Sequence, residues 1–172
     1  MTSDSMLAPQ DQIYQRPGFL LRRAHQLSVG LFEQYCREFN LTPPQYGILC
    51  VLSYAKDIDQ VTLSKALGHD KVTTLHIVRV LEARGLLTRV PCPSGRRRMT
   101  LCLTDEGRSL RERAAAGAAR AYERLMSPLD PTAQAQLLGL LERLCDDLEH
   151  SARASMVKLI PPGAAASGVD GP

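Results

Sequence analysis

Tryptophan is absent from this chain of 172 residues, and only 5% of the residues are aromatic. The chain is rich instead in Leu, Ala, Arg and Glu, so we expect a mainly helical fold and not an all-β architecture. It has no basic start followed by an apolar run, and no stretch of about 18 uncharged apolar residues. We therefore expect the protein in the cytoplasm, and its length suits a single domain.

The motifs of common enzyme classes are also missing. The chain has four histidines, but none shows a metal-binding spacing such as His-Glu-x-x-His. There is no Gly-rich phosphate loop and no nucleophile elbow. We therefore expect neither an enzyme nor a bound metal or cofactor.

The cysteines lack the short paired spacing of zinc sites and disulfide frameworks. Their number is odd and they are scattered along the chain, at Cys36, Cys50, Cys92, Cys102 and Cys145. We interpret them as reduced thiols that act as small apolar residues. Redox sensing by Cys36 or Cys92 is the alternative, and it would require a lowered thiol pKa.

Positive charge is concentrated in one segment. Between Lys71 and Arg98 there are seven basic residues and one acidic residue, Glu82, which gives a net charge of +6 against +3 for the whole chain. The rest of the chain is therefore net acidic. This distribution predicts that the segment meets a polyanion.

The same region has the outline of a helix-turn-helix. Thr62 is expected to cap a short helix that ends at Gly68, and Asp70 a second helix that runs to Arg84. Residues 86–90 and 99–103 favour two strands of a hairpin. The loop between them, Pro91 to Arg98, is the predicted wing.

The exposed row of the second helix carries hydroxyl, imidazole and guanidinium groups, which suit base edges in a major groove. The arginines of the wing suit a phosphate backbone or a narrow minor groove, with a merely solvated charged loop as the alternative. The predicted DNA-binding residues are Thr62, Ser64, Lys71, Thr73, Thr74, His76, Arg79, Arg96, Arg97 and Arg98.

Helices flank this region on both sides. The stretch Thr42 to Gln45 predicts a capping box with a proline in the first turn, and the helix behind it is apolar almost all round. Near the end of the chain, leucines alternate at spacings of four and three, which is typical of a seam with a partner helix. Packing within one monomer is the alternative. The predicted dimerisation residues are Leu20, Leu27, Leu137, Leu141, Leu144 and Leu148.

The expected organisation follows from these segments. Residues 1–17 form an N-terminal arm and residues 18–150 a single domain. Within it, dimerisation helices at 18–40 and 105–150 flank a winged helix-turn-helix at 42–104. Residues 151–172 are expected to be a flexible tail, because its Pro, Gly and Ala-rich end lacks apolar content.

A polar cluster at one end of the first helix suggests a ligand site. Arg22, Arg23, His25 and Gln26 offer hydrogen-bond donors for a carboxylate and a ring hydroxyl or carbonyl, next to apolar walls. We expect Tyr14 and Tyr46 to close the same cavity. Surface arginines with a structural histidine are the alternative.

The order of these elements resembles the MarR family of bacterial repressors from Gly18 to Leu148. Three local motifs are similar to family motifs, and they lie at Leu41 to Tyr46, Val80 to Leu87 and Leu103 to Gly107. The resemblance implies a homodimeric repressor with a mainly α fold and a small β-wing. It also implies a near-palindromic double-stranded DNA operator and a small-molecule effector.

Two further features refine the resemblance. The family's wing usually has an Asp two residues before its key Arg, whereas this chain has Gly95 before Arg97, so the ion pair that normally braces the wing is not supplied there. The stretch Pro17 to Gln26 is similar to members that control the breakdown of aromatic acids, in particular nicotinate-catabolism repressors of the NicR and BpsR type. That similarity implies 6-hydroxynicotinate as effector.

The sequence thus predicts a repressor that a small aromatic or heteroaromatic carboxylate releases from its operator. One alternative is a repressor of the same family that senses thiol oxidation. The other is an architectural protein that binds DNA without sequence preference.

Overall fold

The computed structural model describes residues 13–92, 98–159 and 161, and these form six α-helices and one antiparallel hairpin. The mainly α fold with a small β-wing is confirmed. In these ranges no helix has both the length and the apolar character needed to cross a membrane. The elements are α1 Pro17–Tyr35, α2 Pro43–Tyr54, α3 Gln60–Leu67, α4 Lys71–Ala83, β1 Leu87–Pro91, β2 Met99–Leu103, α5 Asp105–Met126 and α6 Pro131–Leu148.

Side-chain caps begin most of these helices, and those of α2 and α4 lie where the sequence predicts them. Thr42 and Gln45 form the expected capping box at α2, in which the Thr42 N–H donates to the Gln45 Oε1 at 3.1 Å. The side chains of Asp70, Thr104 and Asp130 accept from backbone N–H groups at the starts of α4, α5 and α6. These bonds satisfy helix donors that would otherwise have no partner.

The predicted cap of α3 is wrong. The helix begins at Gln60, and its N-cap is Asp59, whose Oδ1 accepts from the Thr62 N–H at 2.7 Å. Thr62 lies inside the first turn because the carboxylate of Asp59 is available three residues earlier. The end of α3 is as predicted, since Gly68 is left-handed with φ 62°.

Helix α2 is the central buried helix, as its apolar sequence predicts. Ile48 and Leu49 are fully buried, in a core to which α1 contributes Phe32, α3 contributes Leu63 and α4 contributes Leu81. This core holds the helix-turn-helix against the flanking helices. Burial of large apolar side chains of this kind contributes about 1.5–3 kcal/mol each.

Helix α5 crosses its neighbours at two glycines. A Cβ at Gly107 would lie 1.9 Å from the Leu86 carbonyl oxygen, and one at Gly117 would lie 2.8 Å from the Tyr35 carbonyl oxygen. Both positions are buried. Helix α5 therefore approaches both the end of α1 and the segment that leads into β1 at backbone distance.

The hairpin is attached to the rest of the DNA-binding region. Its register pairs Leu87 with Leu103, and the Leu101 N–H donates to the Ile58 carbonyl, between α2 and α3, at 2.7 Å. The Cys92 N–H donates to the Arg98 carbonyl at 2.8 Å, just beyond the two strands. The tip of the predicted wing, residues 93–97, lies outside the described residues.

The two ends of the chain depart from the predicted boundaries. Residues 1–12 of the predicted arm lie outside the described residues, and a 3-10 turn at Ile13–Gln15 precedes α1, which starts at Pro17. At the other end, the segment 152–159 is not a free tail, because the Val157 N–H donates to the Lys65 carbonyl of α3 at 2.9 Å. Met156 and Leu159 supply apolar contacts that the composition of residues 160–168 did not indicate.

Candidate nucleic-acid interface and effector site

Helix α4 has two chemically different faces. Its buried residues are Thr74, Ile77, Val78 and Leu81. The exposed residues include Lys71, Thr73, His76 and Arg79. An exposed helix face with these donors and acceptors has the chemistry that reads base edges in a major groove.

The start of α4 is held by its cap. The Asp70 carboxylate accepts from the N–H groups of Val72 and Thr73, and its Oδ2 accepts from the Thr73 hydroxyl at 2.6 Å. These hydrogen bonds hold the pKa of Asp70 below its usual range, and the one from the Thr73 hydroxyl has the largest effect. Since the Thr73 hydroxyl proton is already used, this exposed side chain can only accept a hydrogen bond from a further partner.

Two residues of the predicted DNA-binding set are not available for direct contact. Ser64 is 4% exposed and donates to the Val61 carbonyl at 2.8 Å, while Thr74 is 0% exposed and donates to the Asp70 carbonyl at 3.0 Å. Both hydroxyls face the protein interior and are satisfied within their own helix turns. This corrects the prediction for Ser64 and Thr74.

Several arginines of the basic segment have structural partners. Arg84 donates to the carbonyls of Asn40 and Phe39, at 2.6 and 3.1 Å, and so ties the end of α4 to the segment after α1. Arg89 pairs with Glu82 at 3.3 Å and also donates to Gln60. The segment therefore presents less free positive charge than its net charge of +6 suggests.

Lys71 and Arg79 remain as the cations of the recognition face. Neither forms an ion pair within the part of the chain that the structure describes. Arg96 and Arg97 lie outside the described residues. Arg98 stands at the base of the wing, where its Nε is 2.9 Å from the Asp59 Oδ2.

Asp59 braces the wing from the start of α3. Burial raises the pKa of Asp59, but hydrogen bonds from Thr62 and the positive charge of Arg98 outweigh it, and the net pKa is below the usual range. The carboxylate therefore caps a helix and pairs with the wing at once. Asp59, which lies far from the wing in the sequence, thus supplies an ion pair that the loop sequence itself lacks.

A cleft of about 520 Å³ separates α1 from the helix-turn-helix. Its polar groups are His25 and Glu33 from α1, Thr42 at the start of α2, and His69 in the turn before α4. Val29, Pro44 and Leu67 are among its apolar walls. A cleft with apolar walls and a few polar groups is typical of a small-molecule site.

Of the predicted effector residues, only His25 lines this cleft. Arg22 donates to the Gln26 Oε1 at 3.2 Å, and its guanidinium carbon lies 5.0 Å from the centre of the Phe19 ring. Arg23 is exposed on the same helix. Within one chain, Arg22, Arg23 and Gln26 therefore lie on α1 outside the wall of the cleft.

The prediction that two tyrosines close the same cavity is wrong within one chain. The Tyr14 ring is 71% exposed and packs edge-on against Phe19 at 5.2 Å. The Tyr46 ring packs against Phe32 at 5.5 Å. Neither ring lines the cleft between α1 and the helix-turn-helix, because each is engaged with a different phenylalanine of α1.

Tyr46 belongs to a separate polar cluster. Burial, and after it the neighbouring Cys50 thiol, raises the pKa of Tyr46 to about 12. Burial also raises the pKa of Cys50, and the positive charge of Arg111 offsets part of the rise in both Tyr46 and Cys50. The Arg111 Nε is buried and has no hydrogen-bond partner in the described structure. Tyr46 is thus held as a neutral phenol.

Sequence reasoning missed His69 and Glu33, which line the cleft, and Arg111, whose charge acts on Tyr46. The His69 Nδ1 is buried and has no hydrogen-bond partner among the described residues. The only signal in the sequence was its place directly after the glycine that ends α3. Glu33 and Arg111 gave no local signal, since the cleft and the Tyr46 cluster each join residues from separate helices.

Of the two cysteines predicted as candidate redox sensors, Cys36 has surroundings that disfavour this role. Burial raises the pKa values of Cys36 and Cys50, which disfavours the reactive thiolate. The five cysteines form no disulfide bond with one another. Within the described ranges, no group of three or more potential ligands is arranged to hold a metal.

A helix-turn-helix with an exposed polar recognition face and an attached two-stranded hairpin defines a winged helix-turn-helix DNA-binding protein. A family model described as MarR family matches residues 39–98. The HTH-type transcriptional repressor NicR of Pseudomonas putida is 31% identical over 139 residues, which cover 81% of this chain and 88% of NicR. The chain belongs to the MarR family and is a transcriptional repressor of that family, not an enzyme.

Two solved structures extend the comparison. The PcaV regulator of Streptomyces coelicolor, in complex with its natural ligand, superposes with a TM-score of 0.75 at 33% identity and covers 83% of this chain and 100% of PcaV. BpsR of Bordetella bronchiseptica, whose DNA binding is regulated by 6-hydroxynicotinic acid, gives 0.73 at 29% identity and covers 81% of this chain and 99% of BpsR. The predicted similarity to repressors of the NicR and BpsR type is confirmed.

Proposed function

We propose that this repressor works as a homodimer that binds a near-palindromic operator and is released by a small aromatic or heteroaromatic carboxylate. The single observation that carries the proposal is the cleft between α1 and the helix-turn-helix. A ligand at this junction contacts both the helices proposed for dimerisation and the DNA-binding region. The first candidate effector is 6-hydroxynicotinate.

Exposed leucines on two helices support the homodimer. No residue of α6 is buried, and Leu137, Leu144 and Leu148 are 38%, 43% and 51% exposed. Leu20 and Leu27 on α1 are 52% and 48% exposed. Apolar side chains at this spacing suit a second helix, and two-fold symmetry would place the two recognition helices about one DNA turn apart.

The chemistry of the cleft supports a carboxylate with a polar group on the opposite side of its ring. Imidazole N–H groups of His25 and His69 can donate to a carboxylate, and Glu33 can accept from a ring hydroxyl or a ring N–H. Val29 and Leu67 offer apolar contact to the ring between them. 6-Hydroxynicotinate has both polar groups, and the regulation of BpsR by this compound makes it the first to test.

Release requires that the effector bind two states of the dimer unequally. A coupling free energy of about 1–3 kcal/mol would weaken DNA binding by about 5–150-fold. The effector would favour a separation of recognition helices that no longer fits successive turns of the duplex. Arg22, Arg23 and Gln26 would take part only if dimerisation brings α1 of a second copy to the cleft.

The test begins with an operator. A duplex is selected from a random pool with the full chain, and its affinity is compared with that of random DNA at fixed salt. A repressor should prefer the selected duplex by about 10³-fold or more. Equal affinity for both would favour the architectural alternative and remove the proposed function.

The effector is then tested on the selected duplex. We expect 6-hydroxynicotinate to weaken binding, and 6-hydroxynicotinamide to have no effect because it lacks the carboxylate. His25→Ala and His69→Ala should both reduce the effect of the effector. DNA affinity without effector should stay close to that of the wild type in His25→Ala, because His25 lies on α1 and not in the helix-turn-helix. His150→Ala, which removes an exposed histidine outside the cleft, is the matched control. A DNA complex that no aromatic carboxylate weakens would exclude the sensing role.

A further inference from the structure

The C-terminal segment 152–159 joins α6 to the helix-turn-helix. On the α6 side, the Lys158 Nζ is 2.9 Å from the Asp146 Oδ1, and the Met156 N–H donates to the Glu149 carboxylate. On the other side, the Val157 N–H donates to the Lys65 carbonyl at 2.9 Å. We call residues 152–159 the C-terminal strap.

Apolar contacts fix the strap in the same position. A Cβ built on Gly68, in the turn of the helix-turn-helix, would lie 3.6 Å from the Met156 Cβ. Leu159 packs against the core, and its carbonyl accepts from the Tyr54 hydroxyl at 3.3 Å. The strap is therefore held over the turn that leads into the recognition helix.

This position places a basic residue of the strap beside the start of α4. A cleft of about 390 Å³ is lined by Arg153 and Ser155 from the strap, Lys65 from α3, and Asp70 and Lys71 at the start of α4. Three basic residues and one acidic residue thus line the same cleft. The Asp70 carboxylate is already engaged by Val72 and Thr73.

In the described part of the chain, the cations of this cleft have no ion-pair partner. Within the described residues, Arg153, Lys65 and Lys71 form no ion pair. The N-terminal end of a recognition helix contacts base edges, and the protein groups around it contact the phosphates beside the groove. When α4 docks on DNA, phosphate oxygens are the anions that come nearest to this cleft.

We propose that the strap is part of the DNA interface and that Arg153 contacts a backbone phosphate together with Lys65 and Lys71. The contact positions the recognition helix and reads no base. It adds a residue from beyond the last long helix to the surface that the helix-turn-helix presents. This inference rests on the DNA-binding function of the repressor.

The test compares three variants of the full chain on the selected duplex and on random DNA, each over a range of salt concentrations. Arg153→Ala removes one phosphate contact per protomer. It should therefore weaken binding to both duplexes by roughly fivefold per protomer at 0.15 M salt. The salt slope, which is the slope of log K against the logarithm of the salt concentration, should become shallower by about 0.9 per protomer. Arg153→Lys should retain the slope. Lys158→Ala is the matched control, because it removes a charge from the same strap that is already paired with Asp146.

Each result decides between separate ideas. Wild-type slope and affinity in Arg153→Ala would overturn the strap contact while leaving the repressor function intact. An equal loss in Lys158→Ala would also overturn it, since the effect would then come from the strap's fold or from total charge. If the wild type itself bound neither duplex, both the contact and the proposed function would fail.

Discussion

The Nε of Arg98 lies 2.9 Å from the Oδ2 of Asp59, which joins the base of the wing to the first turn of α3. The same carboxylate accepts from the Thr62 N–H through its other oxygen. One side chain therefore holds both the start of the helix-turn-helix and the base of the wing. Removing its charge should separate the two roles.

Asp59→Asn should loosen the wing and leave α3 capped, because Asn is also a good N-cap while its amide carries no charge. The pair is partly exposed, so we expect a loss of unfolding free energy below about 1 kcal/mol. Amide hydrogen exchange in β2 should become faster. Glu106→Gln, which breaks the exposed pair with Arg113 on α5, is the control. Unchanged exchange in β2 would show that Arg98 does not brace the wing.

The same pair gives a pH dependence. The pKa of Asp59 is lowered in the folded chain, so its stabilising contribution is present above the unfolded pKa of about 3.9 and is lost as the pH falls through the lower folded pKa. The stability difference between wild type and Asp59→Asn should therefore shrink below about pH 4. Urea unfolding at a series of pH values measures it.

Substitutions on the exposed face of α4 and substitutions in the wing should affect DNA binding differently. Arg79→Ala and His76→Ala should relax preference at particular base pairs, and each base contact that is removed should cost about 1–3 kcal/mol of discrimination. Arg97→Ala should weaken binding on all sequences and reduce the salt slope, as expected for a phosphate contact. Selection of duplexes by each variant measures the preference. A wing variant that changed sequence preference more than affinity would reverse these assignments.

The exposed leucines of α6 should control assembly. Leu144→Asp should give monomers, because it puts a charge in the proposed seam. Loss of the dimer should in turn lower the affinity for DNA. Ala135→Asp adds the same charge on the opposite side of α6 and is the matched control. Sedimentation measures the oligomeric state. Dimers of unchanged stability in Leu144→Asp would place the interface elsewhere.

Gly107 is required by the close approach of α5 to Leu86. Gly107→Ala would place its Cβ 1.9 Å from the Leu86 carbonyl oxygen, so the backbone must shift, at a cost of about 1–3 kcal/mol or more. Gly30→Ala on α1 meets nothing within 4 Å and should be neutral or stabilising by up to about 1 kcal/mol. Denaturant unfolding at one protein concentration compares them. Equal stability of the two variants would contradict the packing argument.

Elements of the fold with local signals could be predicted from the sequence. The capping box at Thr42, the left-handed Gly68, the cap of Asp70 and the buried row of α4 each depend on residues within one or two helix turns. The hairpin is also local: its second strand lies at the predicted residues 99–103, and its first strand lies one residue later than predicted. Such signals operate over short distances along the chain, where intrinsic preferences decide the conformation.

Contacts between residues far apart in the sequence could not be predicted from local signals. The pairing of Asp59 with Arg98, the hydrogen bonds of Arg84 to the segment after α1, and the place of His69 in a cleft wall all depend on tertiary packing. Ser64 shows the opposite error. It is a polar residue in the right segment, but its orientation in the short helix α3 buries it.

The division of α4 into two faces bears on how operator specificity can diversify. The side chains that anchor this helix, such as Thr74 and Val78, are distinct from those that project outward, such as His76 and Arg79. Outward residues can therefore be exchanged with little cost to folding. If these outward residues read the operator as proposed, a few surface replacements would give the protein a new target site, and a designer could retarget it by this route.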